Sequence, residues 1–276
     1  MLKSLKQLLK SSPTVPVHDQ AVPAQKASSA GPLGLKDAAL SGWYQTETNE
    51  LFRGVTISPE DVVVDVGCGN AGSAHFCGLR GPQMLLVDID PAKVDAAVKR
   101  LQKTAARDVQ GFVSECNPIP IADATATRVI STEVIEHVDD PAQFLSELVR
   151  IGKPGALYVI SVPDATSERL QEGFAPQEYY EKPNHIRVIS REEFAEMVRA
   201  SGLEIVEHTW YSFFWSIWFL FFWECKVDLS EPNHPLLDSW TRTWKLLLDM
   251  PRGPEIKERL DDLVAKSQVI IARKPA

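Results

Sequence analysis

Glu133, Glu136 and His137 stand at i, i+3 and i+4 within Ser131-Thr132-Glu133-Val134-Ile135-Glu136-His137-Val138. On a helical turn that spacing puts all three on one face. Two carboxylates and an imidazole on one face can bind a divalent cation such as Mg2+, and a further imidazole could complete the set. Asn184-His185 is the expected donor of that imidazole. A cation held there would bind a hydroxyl, lower its pKa and aim its oxygen. Without a metal, His137 or His185 could act as a general base, since imidazole titrates near working pH. Either could also simply hydrogen-bond at the rim of a site.

A second constellation lies upstream. Val62-Val63-Val64-Asp65-Val66 has the composition of a parallel strand buried on both faces. Gly67, Cys68, Gly69, Asn70, Ala71 and Gly72 follow, so the chain can turn tightly and let its backbone approach a ligand at the start of a helix over 71–81. The glycines fit a dinucleotide fingerprint, with Asp88 at the end of the next strand placed to hold a ribose diol. Asp65 sharpens this. A pyrophosphate gains nothing from a carboxylate beside the turn, whereas a ligand carrying an ammonium does, and S-adenosylmethionine carries an ammonium, a sulfonium, a ribose and an adenine. An NAD-linked oxidoreductase is the alternative on the same turn.

Asp65-Val66-Gly67-Cys68-Gly69 and Val87-Asp88-Ile89-Asp90-Pro91 resemble the first two motifs of the class I S-adenosylmethionine-dependent methyltransferases. In place of the usual third glycine, position 71 is Ala and Gly72 follows. The resemblance implies a cofactor site of Asp65, Gly67, Gly69, Asp88 and Ile89. It also implies that Glu115 takes the adenine amino group while the next backbone N–H, that of Cys116, reaches a ring nitrogen. Glu133-Val134-Ile135-Glu136-His137 is similar to the metal motif of small-RNA 2′-O-methyltransferases and to a motif of ubiquinone-pathway O-methyltransferases. Relatives without a metal share the Glu-His-Val, where it caps a helix and lines the cofactor pocket. The implied reaction is methyl transfer, foremost to a hydroxyl oxygen of a small or lipid-linked acceptor. A metal-dependent RNA 2′-O-methyltransferase is the runner-up.

The elements that must position these residues alternate regularly. Strands are expected at 62–66, 84–88, 109–114, 128–131, 156–162, 204–211 and 267–272, with helices at 91–104, 141–151 and 191–201. The order predicts an α/β, Rossmann-like, doubly wound sheet of seven mostly parallel strands with helices on both faces. The resemblance adds that the last strand is antiparallel. A helix is expected over 38–54; the resemblance implies that it covers the cofactor, where Trp43 and Tyr44 could line the site or serve as packing. Segment 163–183 reads as a long substrate loop that includes Tyr179 and Tyr180.

Residues 1–10 read as a basic amphipathic helix, 11–35 as a disordered linker rich in Ser, Pro, Ala and Gly, and 36–276 as the domain. An aromatic insertion runs over about 211–262. Its segment 211–223, with Trp215, Trp218 and Trp223, is apolar all round and too short to cross a bilayer. It reads as a membrane-interface helix, a lid over a lipidic substrate, or a packing or homodimer face. Together with 1–10 it makes peripheral membrane contact an expectation. The net charge of −8 argues against a nucleic-acid partner. Cys68, Cys77, Cys116 and Cys225 lack zinc-ligand spacing and read as reduced thiols in a cytoplasmic protein. His75 and His208 read as structural, and His18 carries no assigned role.

Overall fold

The computed structural model describes residues 30–276. The basic segment 1–10 and most of the linker lie outside them. A helix, α1, spans Ala30–Leu40, so order begins inside the stretch expected as linker. Ala30 and Leu33 supply the reason, since both are buried in an aromatic cluster.

The helix expected over 38–54 does not form. After Leu40 the chain builds a three-stranded antiparallel sheet from β1 (Trp43–Gln45), β2 (Glu50–Phe52) and β3 (Val55–Thr56). Gly42, Tyr44, Asn49 and Gly54 all have positive φ, which a right-handed helix cannot accommodate. Trp43 is 3% exposed and packs on Phe52 and Tyr211.

The main sheet joins β4 (Val62–Val66), β5 (Gln83–Asp88), β6 (Asp108–Val113), β7 (Ala126–Thr132), β8 (Gly152–Pro163), β9 (Glu204–Tyr211) and β10 (Ser267–Arg273) in the order β6-β5-β4-β7-β8-β10-β9. The first five pair in parallel. β10 runs antiparallel to both neighbours, β8 and β9. Alternation divides the valines of β4 between the faces. Val64 and Val66 pack under α4 (Pro141–Ile151) and α6 (Arg191–Ala200), through Phe144, Leu148 and Phe194. Val63 packs under α2 (Gly72–Gly78) and α3 (Pro91–Leu101), through Ala74, Cys77 and Leu101. Asp65 shares the parity of Val63 and ends buried beside α2.

The segment 163–183 is not structureless. It holds α5 (Ala165–Leu170) and a 3-10 turn, Gln177–Tyr180. The aromatic insertion forms α7 (Phe213–Cys225), α8 (Pro235–Leu248) and α9 (Gly253–Val264). Phe214, Trp218, Phe222 and Trp223 of α7 are buried with Leu237 and Trp244 of α8. The indole donors bond inward, Trp223 Nε1 to Gln171 Oε1 (2.7 Å), Trp240 Nε1 to the Phe214 carbonyl (3.0 Å) and Trp244 Nε1 to Asp37 Oδ1 (2.7 Å). On α7 itself Trp223 is satisfied in this way, whereas the buried Trp218 Nε1 has no hydrogen-bond partner. Burial of Phe214, Trp218, Phe222 and Trp223 makes this a packing face of α7. No described helix is long and apolar enough to cross a membrane.

Asp37 is fully buried, and Lys257 and Asp261 lie against it across α9. Trp244→Phe keeps most of the ring and removes the donor to Asp37. Loss of a hydrogen bond to a buried carboxylate should cost about 1–3 kcal/mol, read as a lower urea midpoint at unchanged slope.

Candidate active site

The parallel register sets Asp65 beside Leu86 of β5 and Ile130 of β7, so the turns after all three strands open at one edge. Gly67 N–H and Cys68 N–H both donate to the Val87 carbonyl (2.8 and 3.0 Å). Gly69 N–H donates to Asp88 Oδ2 and Asp90 N–H to Asp88 Oδ1, each at 2.9 Å. Asp88 therefore joins the two turns and keeps one lone pair per oxygen. Ala71 adopts φ 56, immediately before α2 begins at Gly72. That accounts for the displaced third glycine, because alanine takes the left-handed position here at some strain. At Gly67 (φ +76) a Cβ would collide with Val134 Cγ2.

Asp65 is 2% exposed. Burial pushes its carboxyl up to about 7, with a hydrogen bond from the Ala74 backbone opposing and the Asp88 charge adding. A carboxylate so placed lacks a cation. Tyr44 stands close by, its hydroxyl 3.4 Å from Ser73 Oγ. Ile89 and Val113 are exposed apolar side chains at the ends of β5 and β6. Glu115 is exposed. The Cys116 N–H, expected to be free for a ligand, donates to Ser114 Oγ (2.9 Å).

The turn after β7 departs from expectation. Glu133 adopts φ 55 and only Ile135–His137 is helical, as a 3-10 turn, so the single helical face of Glu133, Glu136 and His137 is not made. Glu133 instead accepts from Ser161 Oγ (3.1 Å) and Ser267 Oγ (3.3 Å). Glu136, His137 and His185 do come together, with one ligand atom from each within 4.8 Å of the others. The Ile186 N–H bonds the Glu136 carbonyl (3.0 Å) and fixes the second histidine beside the first.

Proton positions follow from the partners. His137 Nδ1 lies 2.8 Å from the Asn184 carbonyl, and His185 Nδ1 lies 2.8 Å from Glu168 Oε2. A carbonyl and a carboxylate only accept, so each ring donates from Nδ1, and in the neutral imidazole the lone pair is then on Nε2. Burial, with the His185 charge adding, lowers the His137 imidazole to about 4. Glu136 is 1% exposed, and neither carboxylate oxygen has a hydrogen-bond partner. Burial pushes its carboxyl well above the usual glutamate range, and the neighbouring Glu133 charge adds to this.

Three residues here were not singled out as ligands or acid–base groups by motif reasoning. Glu168 Oε1 accepts from Tyr179 Oη (3.1 Å) and lies 3.6 Å from Lys266 Nζ. Burial alone would raise the Glu168 carboxyl, but Lys266 and the bonds from His185 and Tyr179 hold it below the ordinary range. Burial would likewise lower the Lys266 ammonium, but Glu168, Glu133 and Glu136 hold it above its ordinary value. Tyr179 belongs to the segment expected to contact substrate, whereas no local signal marks Glu168 or Lys266. His208 bonds Gln268 (3.0 Å), in keeping with a structural role.

A family model described as a methyltransferase domain matches residues 41–208. The chain is 30% identical over 160 residues to the 2-methyl-6-phytyl-1,4-hydroquinone methyltransferase of Synechocystis, covering 54% of this chain and 48% of that one. It is 29% identical over 157 residues to a malonyl-[acyl-carrier protein] O-methyltransferase of Serratia marcescens, covering 56% and 57%. The chain spans about half the length of the curated relatives it matches. Among solved structures it resembles the geranyl diphosphate C-methyltransferase of Streptomyces coelicolor (TM-score 0.56, 18% identity, 88% of this chain and 77% of that one), a likeness of fold.

Gly67→Ala should lower stability by about 2–4 kcal/mol, from the Val134 clash and the positive φ together. In the Gly67→Ala/Val134→Ala double variant the clash disappears, and urea unfolding should show a favourable coupling of about 1–2 kcal/mol.

Proposed function

The chain belongs to the methyltransferase domain family, and from that premise we propose a metal-assisted transfer of the S-adenosylmethionine methyl group to a hydroxyl oxygen of a small acceptor with an apolar portion. The observation that carries this reading is Glu136, a buried carboxylate with no hydrogen-bond partner on either oxygen, whose Oε1 lies 3.5 Å from His137 Nε2 and which groups with His137 and His185. Buried polar groups are ordinarily satisfied, and a divalent cation would satisfy this one. Charge supports the same reading. Glu133, Glu136 and Glu168 gather around the Lys266 ammonium among the described residues. The carboxyls of Glu133 and Glu136 are raised by burial, so a further cation would favour their ionised forms.

In this reading Glu136 Oε and the Nε2 atoms of His137 and His185 hold the cation, an open three-ligand set. Glu133 stays outside it, on Ser161 and Ser267. Asp65 takes the cofactor ammonium and Asp88 its ribose diol. Gly67 and Gly69 let the backbone approach, and Ile89 with Val113 flanks the adenine. When bound, the sulfonium supplies an electrophilic methyl and the cation lowers the pKa of the acceptor hydroxyl. What the chain contributes is placement, because in-line transfer depends on holding two partners in register. An imidazole held near 4 is a weak proton acceptor at neutral pH, which favours the ligand role of His137 over that of a general base.

The Tyr179 ring supports an apolar acceptor. It lies 4.5 Å from the His185 ring and 5.4 Å from that of Trp223, so the cation cluster adjoins the aromatic helices. The Synechocystis relative is named for a phytyl-substituted hydroquinone. The net charge of −8 counts against RNA as acceptor, and the family match displaces the oxidoreductase alternative.

A panel of hydroquinones and catechols, assayed after chelation with and without added Mg2+ or Mn2+, tests the reading. Turnover should require the metal and fall at least about a hundredfold in Glu136→Ala. Full turnover in chelator would overturn it. The cofactor half has its own test. Between its ordinary value and about 7, Asp65 keeps a proton in the folded chain that the unfolded chain releases. Stability without cofactor should therefore decline as pH rises through that window and level off above it. Ammonium binding needs the carboxylate, so S-adenosylmethionine affinity should rise about tenfold per pH unit up to about pH 7 and then flatten. Calorimetry on Asp65→Asn should show weak binding without that slope.

A further inference from the structure

Glu168 is 1% exposed and belongs to α5, the short helix after β8. Its two oxygens are divided. Oε1 takes the Tyr179 hydroxyl and faces Lys266, while Oε2 is left to His185 Nδ1 at 2.8 Å. His137 receives the same treatment from a different element, through the Asn184 carbonyl. Two unrelated acceptors thus impose one tautomer on two adjacent rings, whose centroids are 5.1 Å apart. A packing role alone would not require that agreement. Acceptors on the far nitrogen are what orient histidines that bind a metal.

We propose that Glu168 is a positioning residue, which fixes His185 as the Nδ1–H tautomer and so presents its Nε2 lone pair to a cation beside Glu136 and His137. The inference rests on the metal reading of that cluster. Glu168 touches neither acceptor nor metal and acts through His185. Tyr179 and Lys266 hold its carboxylate in the orientation that leaves Oε2 free. Removing the carboxylate lets His185 move its proton to Nε2, the nitrogen the cation needs.

The experiment combines two readouts on the full-length chain, for wild type, Glu168→Ala and Glu168→Gln, with thermal melting as the check on folding. Long-range 1H–15N NMR of 15N-histidine-labelled, metal-free protein reads the tautomers at neutral pH, and visible absorption during titration with Co2+ reads metal uptake. Wild type should show both rings as Nδ1–H. In Glu168→Ala only His185 should switch to Nε2–H, with His137 unchanged as the internal control, and Co2+ affinity should fall about 10–100-fold. Glu168→Gln, whose amide oxygen still accepts from Nδ1, should keep the tautomer and recover part of that loss. If wild type takes up Co2+ but the Glu168→Ala tautomer or affinity is unaltered, the role of Glu168 is overturned and the metal reading stands. If wild type takes up no Co2+, the metal reading fails and this proposal fails with it.

Discussion

Parallel pairing of β4 between β5 and β7 brings every candidate residue to one edge of the sheet. Parallel strands point their carboxyl ends the same way, so the turns that follow them must share a rim. Asp65 lies level with Leu86 and Ile130. Asp88 is then two residues beyond one neighbour, and the turn carrying Glu133, Glu136 and His137 follows the other. A one-residue slip of β4 would send Asp65 to the opposite face, beneath α4, and bring a valine to the rim.

That rim gathers five buried or half-buried carboxyl groups among the described residues. Asp65 and Asp88 form one group, and Glu133, Glu136 and Glu168 form another around Lys266. Burial raises the carboxyls of Asp65 and Glu136, so a cation beside either would favour its ionised form. In the proposed reading the S-adenosylmethionine ammonium would meet the first group and a divalent cation the second. Val134 fills the space against Gly67.

The strands were legible because their signals are local. Val62–Val66 and Met84–Val87 have the apolar runs of doubly buried strands, and glycine or proline bounds the helices near them. The segment 38–54 failed for the complementary reason. Its apolar residues allow a helix, but Asn49, Gly54 and the non-glycine residue Tyr44 take left-handed conformations that a two-stranded return requires. The Glu133–His137 spacing suggested one helical face, but a left-handed residue turns Glu133 onto Ser161 and leaves Glu136 and His137 beside His185. Glu168 and Lys266 were invisible as site residues. Each reaches His185 or the glutamates only through tertiary packing, and neither lies in a motif. The aromatic insertion was conspicuous by composition, yet composition could not say that Trp223, Trp240 and Trp244 bond inward.

β10 follows both of its neighbours in the chain and yet lies between them. On the ribosome, β9 therefore has no strand beside it until β10 emerges, and β8 carries an open edge for all of that interval. Long-range pairing of this kind is slow and leaves intermediates that aggregate readily. Lys266, immediately before β10, is made late as well. A nascent chain that stops short of it holds Glu133 and Glu168 without their ammonium, and so cannot dock its last strand and balance its charge as separate events.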